Sequence, residues 1–128
     1  MAKYLTQEWL DEYRALAEGQ PVRAGATATV QYVITDGPDG TVSYHWTVID
    51  GRLVDAQLGT LPDPDFTWTA TYETQVAIQR GELDANTAFM RNRATVTGNM
   101  AQFIRLLPIT GSPEFAALLA HLRAATEF

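Results

Sequence analysis

The sequence predicts an α+β fold, a five-stranded antiparallel or mixed sheet with helices on one face, and three observations lead to it. The apolar period is helical at the start of the chain, becomes two between Ala26 and Thr71, and turns helical again afterwards. Turn clusters separate the period-two runs, and the connections are too short to hold crossover helices, which points to an antiparallel meander. The length, 128 residues with 46% hydrophobic content, suits one domain over residues 1–128 with a core that needs no cross-link.

The elements follow in order. Thr6 caps a first helix whose apolar residues Trp9, Leu10, Tyr13, Leu16 and Ala17 share a stripe, and Gly19 and Pro21 stop it. From Thr27 to Ile34, Ala28, Val30, Tyr32 and Ile34 alternate with Thr27, Thr29 and Gln31. The cluster Asp36-Gly37-Pro38-Asp39-Gly40 turns the chain into a second strand, Val42 to Ile49, with Val42, Tyr44, Trp46 and Val48 on one face. Asp50-Gly51 is a two-residue hairpin turn that accepts positive φ at both positions, so Arg52 to Thr60 is the return strand. Leu61-Pro62-Asp63-Pro64-Asp65 breaks the pattern before a fourth strand, in which Phe66, Trp68 and Ala70 alternate with Thr67, Thr69 and Thr71.

Beyond Thr71 the signals are helical. Tyr72 to Arg80 forms a short helix stopped by Gly81, and Asp84 caps a shorter one containing Ala88, Phe89 and Met90. Arg93 to Gly98 supplies the fifth strand. Asn99 with Gln102 resembles a capping box at the head of a helix that places Met100, Phe103, Ile104 and Leu107 on one stripe and ends at Pro108. Ser112-Pro113 opens the last helix, which repeats the spacing at Phe115, Leu118, Leu119 and Leu122.

Composition removes several function classes. The chain has no cysteine, so disulfides, thiol nucleophiles, thiolate zinc sites and iron–sulfur clusters are excluded together. Fifteen acidic against nine basic residues give a net charge of −6, which argues against nucleic acid as a partner and against stable anchoring to an anionic membrane. The first residues hold no apolar stretch of signal-peptide type, no Asn-x-Ser/Thr sequon occurs, and the last residues carry no organelle address. A cytoplasmic location is the expectation.

Catalytic constellations are equally sparse. Ser43 and His45 share a strand face, but residues two apart on a strand stand about 7 Å from one another, and no Gly-x-Ser-x-Gly elbow surrounds a serine. Asp36, Asp39, Asp63 and Asp65 sit in Gly/Pro turns without the spacing of a calcium loop, and turn chemistry accounts for them. His121 lies near the end of the last helix, where a cation suits the dipole. The expectation is no enzyme, no metal and no cofactor.

One ordered set of motifs carries a family resemblance. Asp65-Phe66-Thr67-Trp68-Thr69-Ala70-Thr71, Gly81-Glu82-Leu83, Ala88-Phe89-Met90 and Val96-Thr97-Gly98-Asn99-Met100-Ala101 resemble, in order and spacing, the sterol carrier protein type-two family. The match runs from Asp65 to Pro108, about a third of the chain. Asn92 and Asn99 replace a family glycine and a family aspartate, and both are mild changes because Asn tolerates the left-handed region and caps helices. The resemblance brings no catalytic residue. It implies a hydrophobic cavity between sheet and helices that holds a fatty acid, acyl chain or sterol-like lipid, hence a non-enzymatic carrier.

Within that frame Trp68, Phe89, Met90, Met100, Phe103, Ile104 and Leu107 are the candidate ligand-binding residues. Stripes at helical spacing also serve as plain core, so an interaction or accessory domain with a filled cavity and a protein partner stands as the alternative. Arg91, Arg93 and Arg105 are the one basic cluster, readable as a head-group clamp or as a solvated rim.

Overall fold

The computed structural model describes residues 1–128, and the chain runs β1 (Ala2–Lys3), α1 (Gln7–Ala17), β2 (Ala28–Gly37), β3 (Gly40–Ile49), β4 (Arg52–Leu58), β5 (Phe66–Thr71), α2 (Tyr72–Gln79), α3 (Ala85–Met90), β6 (Ala94–Gly98), α4 (Met100–Thr110), α5 (Pro113–Ala124) and β7 (Thr126–Glu127). Each helix begins on a side-chain cap. Thr6, Thr71, Asp84, Asn99 and Ser112 accept from the backbone N–H three residues on, at 3.0–3.3 Å. Those caps satisfy donors that a helix start otherwise leaves orphaned. The β3–β4 hairpin turns at Asp50 and Gly51, whose φ values of 49° and 83° are both positive.

Five strands form one mixed sheet in the order β4-β3-β2-β5-β6. β2, β3 and β4 pair antiparallel, and β5 pairs antiparallel with β6, but β5 lies parallel to β2, with Val30 opposite Phe66 and Ile34 opposite Ala70. The expected four-strand meander is therefore corrected. The chain leaves β4 at Leu58 and crosses β3 and β2 in a loop, without a helix, before entering β5.

Gln31 makes that crossing possible. Its side chain points to the face away from the helices, yet it is buried. Its Nε2 donates to Tyr44 O at 2.9 Å and Gly59 O at 3.1 Å, and its Oε1 accepts from Leu61 N at 2.7 Å. Farther along, the Asp65 carboxylate accepts from Thr29 N at 2.8 Å and aligns the start of β5. One buried amide thus supplies the partners that an extended loop crossing a sheet would otherwise lack.

The other sheet face is the core face. Ala28, Val30, Ile34, Tyr44, Trp46, Val48, Phe66, Trp68 and Ala70 project from it and are buried beneath the helices, as their period of two requires. Trp9, Leu10 and Tyr13 bring α1 onto this face, and Leu118 and Leu122 do so for α5.

Two further features depart from the sequence expectation. Pro108 lies inside α4 rather than at its end. The proline forfeits one N–H in the last turn, but Gly111 N donates to Leu107 O at 2.9 Å and buried Ile109 anchors the turn beyond it. The chain ends also pair as a parallel ladder, Ala2 with Thr126, and Trp9 Nε1 donates to Thr126 Oγ1 at 3.2 Å. Strands of two residues have no periodicity to read.

A candidate ligand chamber between sheet and helices

Between the core face and the helices lies a cavity of about 450 Å³. Its floor is the sheet: Val30 and Tyr32 from β2, Tyr44 and Trp46 from β3, Phe66 and Trp68 from β5. Alternation places these six side chains on one face, and neighbouring strands bring them into register: Val30 opposite Trp46 and Phe66, and Tyr32 opposite Tyr44 and Trp68. The walls are Tyr13 of α1, Gln75 and Ile78 of α2, Phe103, Leu106 and Leu107 of α4, and Phe115 and Leu119 of α5. α4 and α5, which supply the last five of these residues, are bent 77° from one another.

The polar groups around the chamber have defined tasks. Trp68 Nε1 donates to Gln75 Oε1 at 3.0 Å, tying α2 to the floor. Thr110 Oγ1 donates to Asn86 Oδ1 at 3.1 Å, tying α4 to α3. Arg80, Asp84 and Arg123 border the space and are its charged groups. Arg123 Nε donates to Gln79 O at 2.9 Å, and its guanidinium lies over Gly81, where a Cβ would come within 2.6 Å of Nη2. With φ at +75°, Gly81 is thus required twice, by conformation and by the arginine resting on it. The Arg80 guanidinium sits 5.0 Å above the Phe128 ring, a cation–π contact with the chain end.

The floor is aromatic and electrically neutral. Tyr32 stacks on Tyr44 at 4.6 Å with 5° between their planes, Tyr32 meets Trp46 at 4.8 Å, and Tyr13 meets Trp46 edge-on at 5.3 Å. Burial pushes the hydroxyls of Tyr13, Tyr32 and Tyr44 well above the usual phenol range, and for Tyr13 and Tyr44 the neighbouring phenols add to the rise. All three remain protonated at neutral pH. The structure brings together no group of three or more His, Asp or Glu able to hold a metal ion.

The candidate residues divide in two. Trp68, Phe103 and Leu107 line the chamber, and Phe89 is half-buried behind Phe103, their rings 4.8 Å apart. Met90, Met100 and Ile104 are 79%, 41% and 55% exposed and lie off the lining. α4 is apolar over most of its circumference, so its sequence supports two stripes, and the inward one is Phe103, Leu106, Leu107 and Thr110. Met90 ends a six-residue helix that buries only Ala88. Arg91, Arg93 and Arg105 are exposed and do not border the chamber, whose cations are Arg80 and Arg123.

Sequence reasoning missed Tyr13, Tyr32, Tyr44 and Trp46 as lining. Their alternation and stripe were visible, but only the pairing of the strands shows that they converge on one space. Asn92 has φ 58°, the left-handed conformation expected where it stands in place of glycine.

The model of the SCP-2 sterol transfer family matches residues 9–110. Similar solved structures include that of a conserved hypothetical protein of Thermus thermophilus described as a possible sterol carrier protein, with TM-score 0.75, 19% identity, and coverage of 97% of this chain and 90% of that one. A crystal structure of sterol carrier protein 2 matches with TM-score 0.72 and 16% identity, covering 94% of this chain and 97% of that one. A palmitated sterol carrier protein 2-like 2 protein of Aedes aegypti matches with TM-score 0.63 and 16% identity, covering 84% and 92%. The fold also occurs within a sec-alkylsulfatase of Pseudomonas sp., with TM-score 0.50 and 20% identity, over 80% of this chain but 14% of that one. No curated protein matches.

Proposed function

The chain belongs to the SCP-2 sterol transfer family, and from that membership we propose that it is a non-enzymatic carrier of an apolar ligand, a fatty acid, acyl chain or sterol-like lipid, bound between sheet and helices. Family and fold support lipid binding and transfer in general. The observation that carries the reading to this chain is the chamber of about 450 Å³ with its aromatic floor, which lies within the ordinary range of about 300–1,000 Å³ for small-molecule sites. That the Aedes aegypti protein of the same fold is described as palmitated adds support.

The energetics are adequate. Burying about 12 methylenes at about 0.8 kcal/mol each gives roughly 10 kcal/mol gross. After ordering and association costs, a dissociation constant near 1 μM, about −8 kcal/mol, is the upper expectation. Native mass spectrometry of the freshly purified protein is the direct test. A lipid mass that leaves on denaturation supports the carrier reading, as does micromolar uptake of a fluorescent fatty acid after delipidation. Protein that carries no such mass and takes up no dye would overturn it.

A second reading has its own observation. The fold forms a small part of a sec-alkylsulfatase. An accessory role beside an enzyme acting on an alkyl-chain substrate would use the same chamber, with the chemistry supplied elsewhere.

A further inference from the structure

We propose that the chamber floor recognises a neutral oxygen function, a hydroxyl or carbonyl, on the buried end of its apolar ligand, through the hydroxyls of Tyr13, Tyr32 and Tyr44. The inference rests on the carrier reading and adds the chemistry of the ligand's inner end. Each of these residues lines the chamber, and their rings are linked through Tyr32 and Trp46 by centroid distances of 4.6–5.3 Å.

Two other polar tips of the aromatic core find protein partners, whereas the buried Tyr4 hydroxyl, off the chamber lining, has none. Trp9 Nε1 donates to Thr126, and Trp68 Nε1 donates to Gln75. The hydroxyls of Tyr13, Tyr32 and Tyr44 take part in no hydrogen bond within the protein and are not among its enclosed unpartnered atoms, so they open onto the chamber; only Trp46, 7% exposed and in the same cluster, has an enclosed Nε1–H without an acceptor. A floor made only to hold hydrocarbon would use phenylalanine, because a hydroxyl covered by an apolar ligand and left without a partner costs free energy. Three hydroxyls gathered on one apolar surface mark a place where an oxygen is to be received.

The chemistry also restricts which oxygen. Burial, reinforced by neighbouring phenols at Tyr13 and Tyr44, holds these groups protonated, and no Arg or Lys is among the groups that act on them. A carboxylate placed there would bear the same desolvation penalty without a counter-charge. Arg80 and Arg123 border the chamber at the end of α2 and on α5, so an anionic end belongs with them. The ligand implied is apolar along its length, with a neutral oxygen at the phenol end.

Dodecanoic acid and 12-hydroxydodecanoic acid test this, because they differ only at the end remote from the carboxylate. Their affinities are measured by displacement of a fluorescent fatty acid from wild type, Tyr13→Phe, and the Tyr32→Phe/Tyr44→Phe double variant. Wild type should bind the hydroxy acid at least as tightly as the plain acid, although the hydroxyl is the harder group to desolvate. The double variant should weaken the hydroxy acid by about tenfold or more, at about fivefold per hydrogen bond lost, and by at least about fivefold more than it weakens the plain acid. Thermal midpoints report folding, and removing hydroxyls that bond to no protein group should not lower them. A wild-type preference of tenfold or more for the plain acid, or equal losses for both acids in the variants, would overturn the inference while leaving the carrier reading intact. Failure of wild type to bind either acid would instead remove the carrier reading, and this inference with it.

Discussion

Leu107 and Ile104 lie three residues apart on α4, and the same enlargement at each should give opposite results. Leu107 is half-buried on the chamber wall, whereas Ile104 is 55% exposed and off the lining. In a close-packed core, adding volume costs typically about 1–3 kcal/mol in strain. Leu107→Trp has a chamber of about 450 Å³ to enter, so its indole can take up space that no protein atom occupies. The unfolding free energy should fall by less than about 1 kcal/mol. Binding should suffer, since the indole excludes ligand: losing room for about three methylenes at about 0.8 kcal/mol each removes about 2.4 kcal/mol. That is roughly a fiftyfold rise in the dissociation constant. Ile104→Trp, turned to solvent, should leave stability within about 0.5 kcal/mol and the dissociation constant within about twofold. Urea unfolding and titration of a fluorescent fatty acid on the same preparations measure both quantities. Fatty-acid binding by Leu107→Trp at wild-type strength would refute a ligand in this chamber. A loss of about 3 kcal/mol or more on folding would show that the wall at Leu107 is packed as core.

Two other perturbations probe the framework that holds the chamber open. Gln31→Leu removes the amide that partners Leu61 N, Gly59 O and Tyr44 O, and urea unfolding should show a loss of about 2–4 kcal/mol, because buried groups lose their partners; a change within about 0.5 kcal/mol would mean that the crossover holds itself. Alkaline pH should also unfold the protein. Tyr4, Tyr13, Tyr32 and Tyr44 are all raised by burial above the ordinary value of 10.0. Their protonated folded state contributes stability that is fully present below pH 10, the ordinary phenol value, and is lost as pH rises toward the folded values. With four such groups the unfolding free energy should drop by up to about 5 kcal/mol per pH unit above that value. Phenolate absorbance should therefore grow in step with loss of near-ultraviolet circular dichroism; phenolate formation by these four with the fold intact would contradict the burial argument.

Much of this protein is local and therefore legible from its sequence. Capping at Thr6, Asp84, Asn99 and Ser112 depends on residues three apart, and the Asp50-Gly51 hairpin on two, so side-chain chemistry and short-range sterics decide them. The alternation of β2, β3 and β5 likewise sorts their side chains onto two faces before any pairing is known. Fold class and family were within reach for that reason. The place of β5 was not, because pairing beside β2 rather than β4 depends on Gln31 meeting a loop about 30 residues away. The inward face of α4 was also undetermined, since a helix apolar over most of its circumference has no single stripe, and only packing against Phe66, Trp68 and Phe89 turns Phe103 inward and Ile104 out. The chamber itself belongs wholly to tertiary structure. A cavity is the volume that packed elements leave unfilled, and no residue's own properties record where neighbours will fail to meet.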